Sequence, residues 1–266
     1  MNRSLLTLML SGALCSPAIA HDYWIEAVPS PADPSTTELR LLVGECLKIE
    51  EQRAFQPAKT VSFTGHRGDS KSDLIPLATP DATPLASLPS AQQPALIAFE
   101  RNWSYIELKA KKFEDYLDDE GFRDALAERR QRKESAAPGR ERYRRYLKAL
   151  LPTGANDPAA TATLGQKLEL VPLRSPGEAS RGDRIQVRLL FEGQPLAGAP
   201  VEICQRSTAT KVRTIAAETN DDGIASLPIK ASGLTLIRAV QMRRVTDGDA
   251  MADWESYWTS YSFVAR

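Results

Sequence analysis

The chain has 266 residues, 42% of them hydrophobic and 26% charged, with 34 acidic side chains balancing 34 basic ones. That composition supports a globular protein with a substantial core, built as one large or two ordinary domains. It lacks the basic excess of a nucleic-acid binder, and beyond residue 20 no apolar run approaches the roughly 18–20 residues of a membrane-spanning helix.

Residues 1–20 read as a secretory signal peptide. Arg3 supplies the positive start, Leu5 to Leu14 the apolar stretch, and Ala18-Ile19-Ala20 a small-x-small cleavage site. Cleavage after Ala20 sends the mature chain to the periplasm with His21 as its first residue. Leu14 is bulky where a lipid anchor on Cys15 wants a small residue, which argues against such an anchor. Cys46 and Cys204 remain, an even number for an oxidising compartment. They can form one bridge tying the two ends of the chain. The favoured expectation is two free buried thiols acting as small hydrophobes in separate strands.

From 21 to 110 the pattern is that of short strands between turns. His21 to Glu26 alternates, and Glu38 to Val43, Thr60 to Phe63, Ala95 to Phe99 and Trp103 to Leu108 follow, with Arg101-Asn102 expected as a hairpin turn. Prolines 76, 80, 84, 89 and 94 mark an irregular loop. From 111 to 163 the composition shifts to charged residues, Ala and Leu. Phe113, Tyr116, Leu117, Phe122 and Leu126 recur at helical spacing, Pro138-Gly139 interrupts, and Tyr143, Tyr146, Leu147 and Leu150 resume. This predicts a helical hairpin. Its basic run (Arg129, Arg130, Arg132, Lys133, Arg140, Arg142, Arg144, Arg145) is interleaved with Glu128, Glu134 and Glu141 and reads as a solvated face rather than a binding patch.

From 164 to 266 strands return. Lys167 to Pro172 alternates, and Ile185, Val187 and Leu189 alternate with charged or polar neighbours. Pro195 to Val201 is a turn leading into a strand, and Asp221-Asp222-Gly223 is a hairpin turn. Ile224 to Ile229, Leu234 to Val240 and Tyr257 to Val264 complete the set. The expected fold is mainly β. It has two antiparallel β-sandwich domains, immunoglobulin- or transthyretin-like, at 21–110 and 164–266, with the helical hairpin and linker inserted at 111–163.

Chemistry centres on the two histidines. An N-terminal His21 offers a metal its free α-amine and its ring Nδ1, and His66, in the glycine-flanked turn Thr64 to Asp69, is the remaining imidazole available. Together they make three nitrogens, a histidine brace, suited first to copper and next to nickel. Both amine and imidazole shed protons readily near neutral pH. Asp22 can add a backbone or carboxylate ligand. The expected site is therefore His21, His66 and Asp22 around a divalent transition metal, copper or nickel/cobalt. Hydrolase motifs such as Gly-x-Ser-x-Gly, His-Glu-x-x-His and the P-loop are absent from the sequence. Two other readings stand beside metal binding: a protein- or glycan-binding module, and a copper-dependent oxidase. The cluster Trp254, Tyr257, Trp258, Tyr261 reads as core or interface.

His21-Asp22-Tyr23-Trp24-Ile25-Glu26, Phe113 to Gly121, Arg142 to Lys148, Leu164 to Pro172, Pro195 to Val201 and Asp253-Trp254-Glu255-Ser256 occur in an order that resembles a bacterial periplasmic family of poorly defined function. That family is usually filed as the substrate-specific component of nickel or cobalt uptake. The resemblance covers nearly all of the mature chain and implies a metal-related accessory role, with the metal ion and a membrane transport component as partners. We expect the intact mass of the exported protein to correspond to a start at His21; a start at any other residue removes the amine on which the site depends.

Overall fold

Strands dominate because the sequence repeatedly offers one apolar face at period two. Ile185, Val187 and Leu189 are fully buried while Arg184 and Gln186 are exposed. The computed structural model describes residues 21–89, 93–208 and 211–266, so the signal-peptide reading of residues 1–20 lies outside the described residues. The strands are β1 (Asp22–Pro29), β2 (Thr36–Glu45), β3 (Lys48–Arg53), β4 (Thr60–Arg67), β5 (Ser70–Asp73), β6 (Ala86–Pro89), β7 (Leu96–Leu108) and β8 (Gly139–Leu150). They continue as β9 (Leu168–Pro172), β10 (Arg184–Phe191), β11 (Gln194–Pro195), β12 (Pro200–Thr208), β13 (Lys211–Glu218), β14 (Ile224–Pro228), β15 (Gly233–Arg244) and β16 (Trp254–Ala265). Two short helices, α1 (Ala110–Asp119) and α2 (Arg123–Gln131), lie between β7 and β8.

An eight-stranded sheet in the order β13-β12-β15-β16-β8-β7-β4-β5 forms the centre and draws strands from all three stretches of the sequence. Its neighbours are antiparallel except β16 and β8, which run parallel from Trp254 opposite Glu141 to Ser262 opposite Ala149. One face packs Val201, Ile203, Ile237, Tyr257 and Tyr261 against Leu168, Leu170, Val187 and Leu227 of a four-stranded sheet built around β10. The opposite face is shared. Phe63, Phe99 and Leu147 meet Tyr23, Ile25 and Leu41 of a second four-stranded sheet built around β2. Further along that face, Val240, Met242, Trp254 and Trp258 meet Phe113, Tyr116, Leu117 and Leu126 of the helices. Gly139 opens β8 under α1, where an added Cβ would fall 2.1 Å from the Phe113 ring.

Three expectations need correction. Tyr143, Tyr146, Leu147 and Leu150 lie on β8, not on a helix. β8 is covered on both faces, so apolar residues occupy both and the period-two signal vanishes. What the sequence read as the first helix is the pair α1–α2, turned at Gly121, whose φ of +73° suits glycine. Arg101-Asn102 is not a hairpin turn: β7 runs through it, and the register against β8 shifts between Arg101 and Ser104. The basic run is a solvated face only in part: Arg130, Arg132 and Lys133 are exposed, while Arg129, Arg142 and Arg145 are buried.

The cysteines are also corrected. Cys46 and Cys204 form a disulfide, with Cα atoms 5.4 Å apart and a separation of 158 positions in sequence. Cys46 and Leu47 make the two-residue turn between β2 and β3, both at positive φ (46° and 67°). A hairpin of this kind usually takes Asn or Gly. Here the bridge, the buried Leu47 side chain and the Asp22 carboxylate accepting the Cys46 N–H at 2.8 Å hold it instead. Breaking the bridge by reductant or by Cys46→Ser should cost about 2–5 kcal/mol in urea unfolding, and the double serine variant should cost no more than the worse single one.

Candidate functional site

The seam between the β2-centred sheet and the helices gathers an unusual set of polar groups on the central sheet. His21 precedes β1, and alternation puts it on the same side as Tyr23. Its Nε2 lies 3.0 Å from a Glu50 carboxylate oxygen on β3. Its Nδ1 is buried with no hydrogen-bond partner. The His21 carbonyl accepts a hydrogen bond from Arg145 Nη2 at 3.1 Å.

Asp22 faces the other way. Its Oδ1 meets Arg238 Nη1 at 3.0 Å and its Oδ2 takes the Cys46 N–H, so both oxygens are committed. Arg238 on β15 also meets Glu120 at 3.2 Å and Glu202 at 2.9 Å. Burial pushes the Asp22 carboxyl up despite Arg238, and pushes Glu120 up to about 7. Nearby, Glu141 on β8 accepts hydrogen bonds from Ser256 and from the Tyr116 hydroxyl, and its other oxygen has no partner. Burial raises it to about 7 as well.

His66 lies elsewhere. It is opposite Leu96 on β7 and Lys71 on the edge strand β5, with Nε2 2.9 Å from the Thr64 hydroxyl. Burial, with Lys71 and Lys148 near, lowers its pKa. Arg145, which touches His21, is opposite Arg101 of β7, five positions from Leu96. At about 3.3 Å per residue that is on the order of 16 Å. The two imidazoles do not converge, and no group of three or more His, Cys, Asp or Glu poised for a metal occurs among the described residues.

Sequence reasoning missed Glu50, Glu120, Glu141, Arg101 and Arg145. The signal for the β8 pair was present: Glu141, Tyr143, Arg145, Leu147 and Ala149 alternate as one strand face, hidden by the basic run that surrounds them.

A pH dependence follows. Glu120 and Glu141 bind protons more tightly folded than unfolded, so their contribution to stability is full below about pH 4.5 and is lost as pH rises through about 7. Relative to the unsubstituted protein, Glu141→Gln should lose less stability between about pH 5 and pH 8 in urea unfolding, as should Glu120→Gln; parallel pH profiles would show the acids ionise freely.

The chain matches the sequence profile of a family described as a domain of unknown function, DUF4198, over residues 18–243. No curated protein matches it significantly. With most of its length covered, the chain belongs to the DUF4198 family.

Proposed function

We propose that this protein binds a divalent transition metal, copper or nickel/cobalt, through His21 in the periplasm and serves metal uptake as an accessory or chaperone. The observation that carries this reading is the state of the His21 ring: Nδ1 buried and unpartnered, Nε2 anchored to Glu50. Metal-binding imidazoles typically give their second ring nitrogen to a carboxylate, which fixes tautomer and orientation and leaves the first nitrogen for the metal. With Nε2–H donated to Glu50, Nδ1 is the ring lone pair left over. Cleavage after Ala20 would place a free amine on the same residue, within chelating reach of that atom.

The donor set fits copper or nickel better than structural zinc, which wants four protein ligands. Asp22 stays with Arg238 and Cys46 and positions the backbone of His21 rather than the metal. Coordination positions left open suit a protein that passes metal onward. The disulfide supports export, since such bridges persist in oxidising compartments. The resemblance to nickel and cobalt uptake components supports the metal class. We also read β9 to β16 as an immunoglobulin-like sandwich, the sheet around β10 facing β12, β13, β15 and β16.

Isothermal titration of processed protein with copper, nickel, cobalt and zinc tests the proposal. His21→Ala and a one-residue extension before His21 should each abolish tight binding, and Glu50→Gln should weaken it roughly tenfold to a hundredfold. His66→Ala should leave affinity unchanged, as its distance from His21 requires. Full affinity in the extended protein would overturn the proposal.

A further inference from the structure

Of the four buried arginines among the described residues, two are neutralised by carboxylates, as is the partly buried Arg238. Arg129 lies on Glu114, Arg142 on Glu255, Asp247 and Asp249, and Arg238 on its three carboxylates. Arg101 and Arg145 differ. They are 6% and 3% exposed, face each other as register partners on β7 and β8, and among the described residues neither forms an ion pair with a carboxylate. Arg145 Nη2 is used by the His21 carbonyl and Arg101 Nη2 by Gln56 Oε1 at 2.7 Å. Arg145 Nε, Arg101 Nη1 and, beside them, Arg53 Nε are buried without a partner.

These three guanidinium groups surround one ring. Arg145 lies 4.1 Å from the Tyr23 ring centre, and Arg53 and Arg101 lie 5.5 Å from it. Tyr143 and Trp258 flank Arg145 at 4.6 and 5.3 Å. The rings attract the cations but bring no compensating charge. Glu51 pairs with Arg53, and Glu50 is engaged by His21. Glu141, on the Arg145 side of β8, is raised to about 7 and carries only part of a charge near neutrality. Three cations therefore outweigh the carboxylates that face them. A buried charge left so is strongly destabilising unless something pairs with it.

We propose that Arg53, Arg101 and Arg145 seat a small oxyanion (a carboxylate, sulfate or phosphate) against Tyr23, with half-buried His21, Arg53 and Tyr143 at its mouth. Guanidinium forks match the spaced oxygens of all three anion types, and the free N–H groups supply donors that now lack acceptors. Its donors are the three guanidinium groups and not the proposed metal donors of His21, so the seat is tested separately from metal binding.

The test uses chelator-treated, processed protein without added metal. Thermal unfolding and isothermal titration are followed with acetate, sulfate and phosphate at constant ionic strength. At least one anion should stabilise saturably, and comparison of the three identifies carboxylate or inorganic oxyanion as the source. Arg101→Gln should weaken that anion about tenfold or more, the loss expected for one charge-assisted hydrogen bond. Arg53→Gln, at a half-buried position, should weaken it too and reads on the seat even if Arg101→Gln does not fold. Lys71→Gln, on the edge strand β5, should change nothing. A non-saturating response, or unchanged affinity in Arg53→Gln, overturns the seat. Neither result bears on the metal titration, which is run separately with the extended protein.

Discussion

The partly buried Arg238 side chain is the constraint on which the arrangement of layers depends. It projects from β15 and is met by carboxylates from β1, β12 and the end of α1, namely Asp22, Glu202 and Glu120. Such a cluster contributes little net stability compared with an apolar packing, but removing one member strands the remaining charges in a low dielectric. It thereby makes one placement of the β2-centred sheet and the helices strongly preferred over any sliding of the two. Because Asp22 is held at both oxygens, the backbone of its neighbour His21 is held too. The ring of His21 is thus placed by a charge cluster it does not touch.

The seam combines opposite demands. The cation proposed at His21 would meet the field of Arg145, which bonds the carbonyl of that same residue. The anion proposed against Tyr23 would meet that field favourably. Glu120 and Glu141, raised to about 7, leave the local charge balance adjustable near neutral pH. Clusters of shifted acids in a partly closed site are characteristic of binding and catalytic centres. The core between the central sheet and the β10-centred sheet, around Leu168, Ile185, Val187 and Ile203, instead pairs its buried charges, with Lys148 held by Glu169.

How much of this was legible in the sequence depended on burial. β10, β14 and β15 stand close to where alternation placed them, because one side of β10 and of β14 is open to water and the pattern survives. β8 was lost to a helix reading because Tyr143, Tyr146, Leu147 and Leu150 fill both of its faces. β16 is packed on both faces too, although Tyr257 to Val264 was legible as a strand: Trp254 and Trp258 face the helices, Tyr257 and Tyr261 face the opposite core, and the spacing of three and four reflects two packed surfaces. The short β5 and β6 lie in turn-rich segments where pairing, not composition, makes the strand. Of the candidate site, His21 was legible from chemistry alone. Its carboxylate partner Glu50 and the arginines around Tyr23 were not, since they come from strands brought together only by the sheet order.

The parallel pairing of β8 with β16 has a consequence for how the chain reaches this structure. β16 is the latest strand in the sequence, yet it lies inside the central sheet with β15 on one side and β8 on the other. Until it docks, β8 keeps an open edge and Trp254, Tyr257, Trp258 and Tyr261 remain in water. The contact joins positions more than a hundred residues apart, so it closes a long loop late and slowly. A growing chain therefore cannot complete its central sheet in stages from the N-terminus. Until β16 has been made, β8 keeps an exposed strand edge that invites misassembly.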